Sequence, residues 1–169
     1  MRLKLGAVAH VDVRSKGLVA ALDHAVTFSG EVESIVLEVE DGIDVEIATT
    51  LAVSKLEPPK SASRFDRSQM TEQLAVALDA ARCPELAFLG RYRGTRSSGR
   101  LEGELTILGQ PRRIAFEVRG DGARVSGVWE GKLTDLGVKP PKLLLGAIKL
   151  ADWAKLRLEV TVTETSRSG

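Results

Sequence analysis

The chain is poor in the residues that most often carry chemistry or cross-links. Among its 169 residues there is one cysteine, Cys83, and there are two histidines, His10 and His24. A single thiol cannot form an internal disulfide, and these two histidines do not have the spacing of a zinc site, which needs about three or four ligands. Cys83 precedes a proline and has no histidine near it in the sequence, so we expect an inert thiol. The composition therefore predicts no metal and no cofactor.

Long apolar runs and large aromatic side chains are also scarce. No segment approaches the roughly 20 apolar residues of a membrane span, and charges interrupt residues 1–20, which do not read as a secretory leader. We therefore expect a soluble, cytoplasmic protein, or a periplasmic one if a leader has been removed. Aromatic residues make up 4% of the chain and hydrophobic residues 43%. The core of a single domain must then be mainly Leu, Val, Ile and Ala.

The chain has no large excess of charge of either sign. Its formal net charge is +1, which gives no argument for nucleic acid or a membrane surface as a partner. Residues 1–85 carry 9 basic and 14 acidic side chains, whereas residues 86–169 carry 15 and 9. Because no basic run is contiguous, we interpret the two halves as facing each other within one barrel.

Nucleophile elbows, phosphate-binding glycine loops and paired-carboxylate motifs are missing, so we predict that the protein is not an enzyme.

What the chain does contain is a repeated alternation of apolar and polar residues. Over several consecutive segments this period of two predicts strands of a sheet with one apolar face. A change of parity between Val32 and Ile35 predicts a bulge or a turn near Glu33 and Ser34. Asp41-Gly42 predicts a hairpin turn into the next strand. We count about eight strands, mostly antiparallel because their turns are short, and such a sheet must close or be covered.

One segment has helical rather than strand periodicity. Residues 55–68 contain Pro58-Pro59 and predict a loop, and a helix is expected at about 69–81. Its apolar residues follow the spacing of a helical stripe, which predicts that the helix covers the barrel with Met70, Leu74, Ala77 and Leu78. We expect one domain over residues 1–165 and a flexible tail at 166–169.

Five short motifs occur in an order that is similar to that of a known family. They are Asp23-His24, residues 82–88 (RCPELAF), residues 103–109 (GELTILG), Asp135-Leu136-Gly137, and the late pair Gly146 and Asp152. Because of these motifs, the sequence resembles the YceI-like family of lipocalin-like, polyisoprenoid-binding barrels. The resemblance covers almost the whole chain. Leu136 stands where the family usually has Phe, and the second histidine of the family's His-x-His step is absent.

The resemblance implies an all-β fold with minor helix, a lipocalin-like antiparallel eight-stranded β-barrel with a covering helix. It also implies a lipid-binding, and specifically isoprenoid-binding, lumen. The partner would be an apolar small molecule, such as an isoprenoid, an isoprenoid quinone or a fatty acyl chain.

Strand parity predicts which side chains line this lumen. The expected ligand-binding residues are Phe28, Leu51, Phe88, Tyr92, Leu105, Phe116 and Trp129. An eight-stranded barrel is just wide enough to be filled by side chains or to hold one small ligand. Few large aromatics, and glycines at four strand positions, favour room inside; these glycines are Gly90, Gly103, Gly127 and Gly131.

Two other functional hypotheses stay open. One is a ligand-free structural or interaction barrel, with a homodimer as one form. The other is an enzyme that uses the lumen, which needs a paired acid and base. The polar residues expected to face inward are Tyr92, Thr49 and His24, and no base is evidently paired with any of them. We interpret His24 as a structural residue near the rim.

Overall fold

The structure, a computed structural model, describes residues 2–16, 26–38, 42–140, 142–143 and 148–164. Its strands are β1 (Arg2–Lys16), β2 (Val26–Glu38), β3 (Ile43–Ala52), β4 (Glu85–Gly94), β5 (Ser98–Ile107), β6 (Gln110–Gly120), β7 (Arg124–Gly131), β8 (Lys142–Leu143) and β9 (Ile148–Glu164). One α-helix, α1, spans Arg64–Ala77, and two 3-10 turns span Val53–Lys55 and Thr134–Leu136. The expected motif Asp23-His24 and the expected tail at 166–169 lie outside the described residues.

Eight long strands form one antiparallel sheet in the order β2-β1-β9-β7-β6-β5-β4-β3, and the two-residue β8 pairs with β9. The first and last long strands, β1 and β9, are therefore neighbours, second and third in the order. The sheet curls so that its apolar side chains enclose a single core. The predicted all-β, lipocalin-like barrel of eight antiparallel strands with a covering helix is confirmed. No helix among the described residues is long and apolar enough to cross a bilayer.

The strand β2 contains the bulge that its parity predicts. Leu5 pairs with Ile35, whereas Ala7, two residues later on β1, pairs with Val32, three residues earlier on β2. One extra residue therefore stands in β2 at the position of Glu33 and Ser34. An extra residue reverses the alternation of a strand, which accounts for the change of parity in the sequence.

The hairpin predicted at Asp41-Gly42 falls partly outside the described residues, which do not include 39–41. Gly42 has a φ of +81°, as a turn requires, and within the described residues β2 forms a ladder only with β1 and β3 only with β4. Among these residues one bridge joins the two ends of the sheet. The Ser29 amide donates to the Glu57 carbonyl at 3.0 Å, and the Glu57 amide donates to the Ser29 carbonyl at 2.9 Å. The segment after β3, rather than β3 itself, thus carries the partner of β2.

The helix begins earlier and ends earlier than the predicted 69–81. Ser63 is the N-cap: its hydroxyl accepts a hydrogen bond from the Asp66 amide at 3.1 Å and donates to the Asp66 carboxylate. This Ser-x-x-Asp pattern satisfies free amides of the first turn, so residues 64–68, expected in a loop, are helical. At the other end Asp79 has a φ of +48°, which stops the helix. The Ser-x-x-Asp pattern is visible in the sequence. The loop prediction, which was based on Pro58-Pro59, ran past it to residue 68.

The helix α1 covers one end of the barrel. Met70, Leu74 and Ala77 pack against the core, and Leu78 just after the helix is 7% exposed. The stripe expected to face the barrel therefore does so. Phe65 and Val76 lie on the opposite face and are 67% and 71% exposed.

Candidate ligand-binding lumen

Two cavities lie inside the curled sheet. The larger, of about 200 Å³, is lined by seven of the eight long strands, by α1 and by the segment after β7, which contributes Leu133, Leu136 and Val138. The smaller, of about 120 Å³, is lined by residues nearer the opposite end, such as Leu3 and Tyr92. Five residues line both: Val32, Thr49, Phe88, Leu101 and Leu158. We call the two cavities together the lumen.

Six of the seven residues expected in the lumen line one of its cavities. Phe28, Leu51, Leu105 and Phe116 line the larger cavity, Tyr92 lines the smaller, and Phe88 lines both. Trp129 packs against the core but is not among the lining residues of either cavity. Its ring lies over Gly131, where a Cβ atom would stand 2.5 Å from Trp129 Cζ2.

The strand glycines do not create the space that the sequence suggests. Gly90 lies under the ring of Phe88, whose Cζ would be 2.5 Å from an added Cβ, and Gly103 faces the backbone of Gly90 and Leu89 on the neighbouring strand. Of the four glycines only Gly127 lines a cavity. The expectation that these glycines leave room is therefore wrong at three positions, because rings and a neighbouring strand occupy the space beside them. Phe88 itself packs edge-to-face on Phe116, with centroids 6.4 Å apart.

Sequence reasoning missed two parts of the lining. The segment with Leu133, Leu136 and Val138 closes the larger cavity, and Leu136 and Val138 are 3% and 4% exposed. The Asp135-Leu136-Gly137 motif marked this segment without indicating a role for it. Leu56, in the predicted loop after β3, is 2% exposed and also lines the larger cavity. Neither segment shows the period of two by which lumen residues were chosen.

The hydroxyl of Tyr92 is already engaged by the fold. It donates a hydrogen bond to the carbonyl of Thr95 at 2.5 Å. Burial raises the pKa of Tyr92 above its ordinary value, so the phenol stays protonated at neutral pH. Tyr92 thus gives the smaller cavity a neutral, hydrogen-bonded wall rather than an acid or a base.

The hydroxyl of Thr49 has no such partner. Its Oγ1 is buried and makes no hydrogen bond among the described residues. Thr49 shares the inward parity of Ile47 and Leu51 on β3, both of which also line the lumen. It is the one polar residue among the five that line both cavities.

The opposite face of the sheet holds a buried carboxylate that is fully partnered. Asp12, 6% exposed, accepts hydrogen bonds from Thr27 Oγ1 at 2.7 Å, from Arg157 Nε at 2.9 Å and from Arg157 Nη2 at 3.2 Å. Burial alone would raise the pKa of Asp12, but the hydrogen bonds from Arg157 and Thr27 outweigh it, so the pKa lies below its ordinary value. The cluster joins β1, β2 and β9 and stays ionised at neutral pH.

No cluster of three or more His, Cys, Asp or Glu side chains that could hold a metal ion occurs in the part of the chain that the structure describes. Cys83 is a free, half-buried thiol.

Comparison with known proteins identifies relatives by structure and not by sequence. No family model matches the chain, and no curated protein sequence matches it. A crystal structure of BcnA from Burkholderia cenocepacia is 16% identical, with 96% of each chain covered and a TM-score of 0.49. A crystal structure of a mutant CJ YceI protein with a monobromobimane guest is 15% identical, covering 76% of this chain and 89% of that one, with a TM-score of 0.52. The chain therefore has the fold of the YceI protein, which is the fold that its motifs imply.

Proposed function

We propose that this protein binds an apolar small molecule in its lumen and holds it without changing it chemically. The observation that carries the proposal is the lumen itself, an apolar space walled by the strands and covered by α1. The candidate ligands are those that the resemblance implies: an isoprenoid, an isoprenoid quinone or a fatty acyl chain. Six of the seven residues selected from the sequence, all except Trp129, are the first candidates for contact with it.

The size of the lumen limits the ligand. Neither the cavity of about 200 Å³ nor that of about 120 Å³ alone reaches the roughly 300–1,000 Å³ that is typical of ligand pockets. Joined, they reach the lower end of that range. Phe88 lines both cavities, and we propose that a rotation of its ring joins them. The lumen then suits one slender chain, and a long polyprenyl chain would have to extend through an end of the barrel.

Apolar burial is sufficient for useful affinity at such a site. A ligand that removes about 400 Å² of apolar area from water gains roughly 10 kcal/mol before costs, at about 25 cal/mol per Å². Association itself costs about 4–15 kcal/mol. At the low end of that cost about 6 kcal/mol remains, which corresponds to a Kd of roughly tens of micromolar without a charged anchor. This agrees with a lining that is mostly aliphatic and aromatic.

The polar side chains of the lumen favour binding without turnover. A reaction in the lumen would need a positioned nucleophile or an acid and a base. The Tyr92 hydroxyl donates a hydrogen bond to a backbone carbonyl, and Thr49 Oγ1 makes no hydrogen bond to a base among the described residues. His10, which also lines the larger cavity, is hydrogen-bonded through Nδ1 to Ser29 Oγ at 2.8 Å. We therefore propose that a bound ligand is recovered with its mass unchanged.

Two adjacent residues of α1 provide a matched test of where the ligand binds. Ala77 lines the larger cavity, whereas Val76 is 71% exposed. Ala77→Phe adds a ring inside the lumen, and Val76→Phe adds the same ring outside it. In a titration with cis-parinaric acid, a fluorescent fatty acid, we expect a Kd of roughly tens of micromolar for the wild type and for Val76→Phe, and at least tenfold weaker binding by Ala77→Phe.

Equal affinities of the two variants would contradict a site in the lumen. If the wild type binds no isoprenoid or acyl probe below about 100 μM, roughly −5.5 kcal/mol, the binding function fails. The ligand-free structural or interaction barrel is then the better hypothesis, and sedimentation would test its homodimer.

A further inference from the structure

The lumen contains a hydroxyl group that the fold leaves unused. Four buried side-chain atoms of the described residues have no hydrogen-bond partner: His10 Nε2, Thr49 Oγ1, Arg67 Nε and Arg112 Nε. Of these, only Thr49 Oγ1 belongs to a residue that lines both cavities. A buried hydroxyl without a partner is rare in folded proteins, because it has lost its hydrogen bonds to water and gained none.

The position of Thr49 does not require a hydroxyl for folding. On β3 the neighbours of the same parity are Ile47 and Leu51, and across the ladder Thr49 pairs with Phe88 on β4. Valine has nearly the shape of threonine and favours strands as strongly. A core selected for stability alone would therefore have valine at this position.

We propose that the Thr49 hydroxyl donates a hydrogen bond to an oxygen atom of the bound molecule, and that this oxygen has apolar groups on both sides. This rests on the proposed function. Because Thr49 lines both cavities, one apolar arm of the ligand would lie in each, with the oxygen between them. The fitting ligand class is an ester or a ketone with an apolar chain on each side of its carbonyl, whose oxygen is a hydrogen-bond acceptor within an otherwise apolar molecule. A pure hydrocarbon would leave the hydroxyl unpaired, and a free fatty acid would carry its polar group at one end.

The test compares two probes that differ by one oxygen. The ketone 8-pentadecanone has a carbonyl at the centre of its chain, and pentadecane is the matched hydrocarbon. Each displaces cis-parinaric acid from the wild type and from Thr49→Val, Thr49→Ala and Thr49→Ser. A neutral hydrogen bond is worth about tenfold or less in affinity. We expect both variants without the hydroxyl to bind the ketone about fivefold more weakly and pentadecane within twofold of the wild type, and Thr49→Ser to keep most of the ketone affinity.

A spectroscopic measurement reports the bond directly. In infrared difference spectra the carbonyl stretch of 8-pentadecanone should move to lower wavenumber on binding to the wild type and to Thr49→Ser. The shift should be absent in Thr49→Val and Thr49→Ala, which serve as replacements for each other if one does not fold.

Two results would overturn the inference while leaving the proposed function intact. One is a change of equal size for the ketone and the hydrocarbon in Thr49→Val, or no change for either. The other is an unshifted carbonyl stretch in the wild-type complex. If instead cis-parinaric acid does not bind the wild type at all, the proposed function fails, and this inference fails with it.

Discussion

Two buried polar groups on opposite faces of the sheet differ in their hydrogen bonding. On the face away from the lumen, Asp12 is a charge that receives three hydrogen bonds from Thr27 and Arg157. On the face toward the lumen, Thr49 is a neutral hydroxyl that makes none among the described residues. The comparison teaches that the fold can supply partners to a buried polar group across three strands. A hydroxyl without a partner in the lumen is therefore a group available to a ligand.

The largest expected effect comes from removing Arg157, the cation that pairs with Asp12 and that also lines the larger cavity. Arg157→Leu leaves the Asp12 carboxylate buried without its bidentate partner, and breaking a buried pair in this way costs about 3 kcal/mol of unfolding free energy. Urea unfolding at pH 7 measures it. Arg119→Leu, which removes an exposed arginine of β6, is the control and should change stability by less than about 0.5 kcal/mol. Equal effects of the two substitutions would show that the cluster is not a structural element.

The same substitution at two threonines sharpens the comparison. Thr27→Val removes a hydrogen bond to a buried carboxylate, and we expect a loss of about 1.5 kcal/mol. The measurement is again urea unfolding of the ligand-free protein. A loss below about 0.5 kcal/mol would mean that Arg157 alone satisfies Asp12.

On the inner face the same change should have the opposite sign. Thr49→Val removes a hydroxyl that has no partner, so we expect the ligand-free protein to gain about 1 kcal/mol. The thermal midpoint of unfolding should rise accordingly. If Thr49→Val destabilises the ligand-free protein as much as Thr27→Val does, the hydroxyl has a partner in the fold and the contrast between the two faces is lost.

The smallest effect is a dependence on pH. Because the pKa of Asp12 is lowered by folding, the carboxylate stabilises the protein fully above its unfolded pKa of about 3.9, and this contribution is lost as the pH falls through the folded value. The stability difference between the wild type and Arg157→Leu should thus be largest at pH 7 and shrink as the pH falls toward 3, because burial without Arg157 favours the protonated Asp12 of the variant. Burial opposes the hydrogen bonds, so the net shift and the slope are modest. A difference that stays constant to pH 3 would contradict an ionised Asp12.

The strands, their antiparallel pairing and the bulge in β2 could be predicted because each depends on a local alternation. A period of two identified the inward positions of β3, β4 and β5 and placed Phe28, Leu51 and Leu105 at the lumen. The reversal of parity at Glu33 and Ser34 required one extra residue, and the register contains it. Here a pattern over a few residues determines which face a side chain occupies.

The remaining features depend on residues that are distant in the sequence. Arg157 reaches Asp12 across 145 positions, and no local pattern connects them. The bridge between Ser29 and Glu57 joins β2 to the segment after β3, and no local pattern indicates this contact. The rings over Gly90 and Gly131 depend on side-chain rotamers, which alternation does not specify. The same reason accounts for the position of Trp129 outside the lining of both cavities.

The central claim is that the lumen holds an apolar molecule, and native mass spectrometry of the purified protein tests it most directly. The account predicts an added mass on the wild-type chain that organic extraction removes and identifies as an apolar molecule containing oxygen. Val76→Phe should retain this mass, and Ala77→Phe should lose it. A wild-type mass equal to that of the chain alone, together with no binding of 8-pentadecanone or cis-parinaric acid below about 100 μM, would contradict the account.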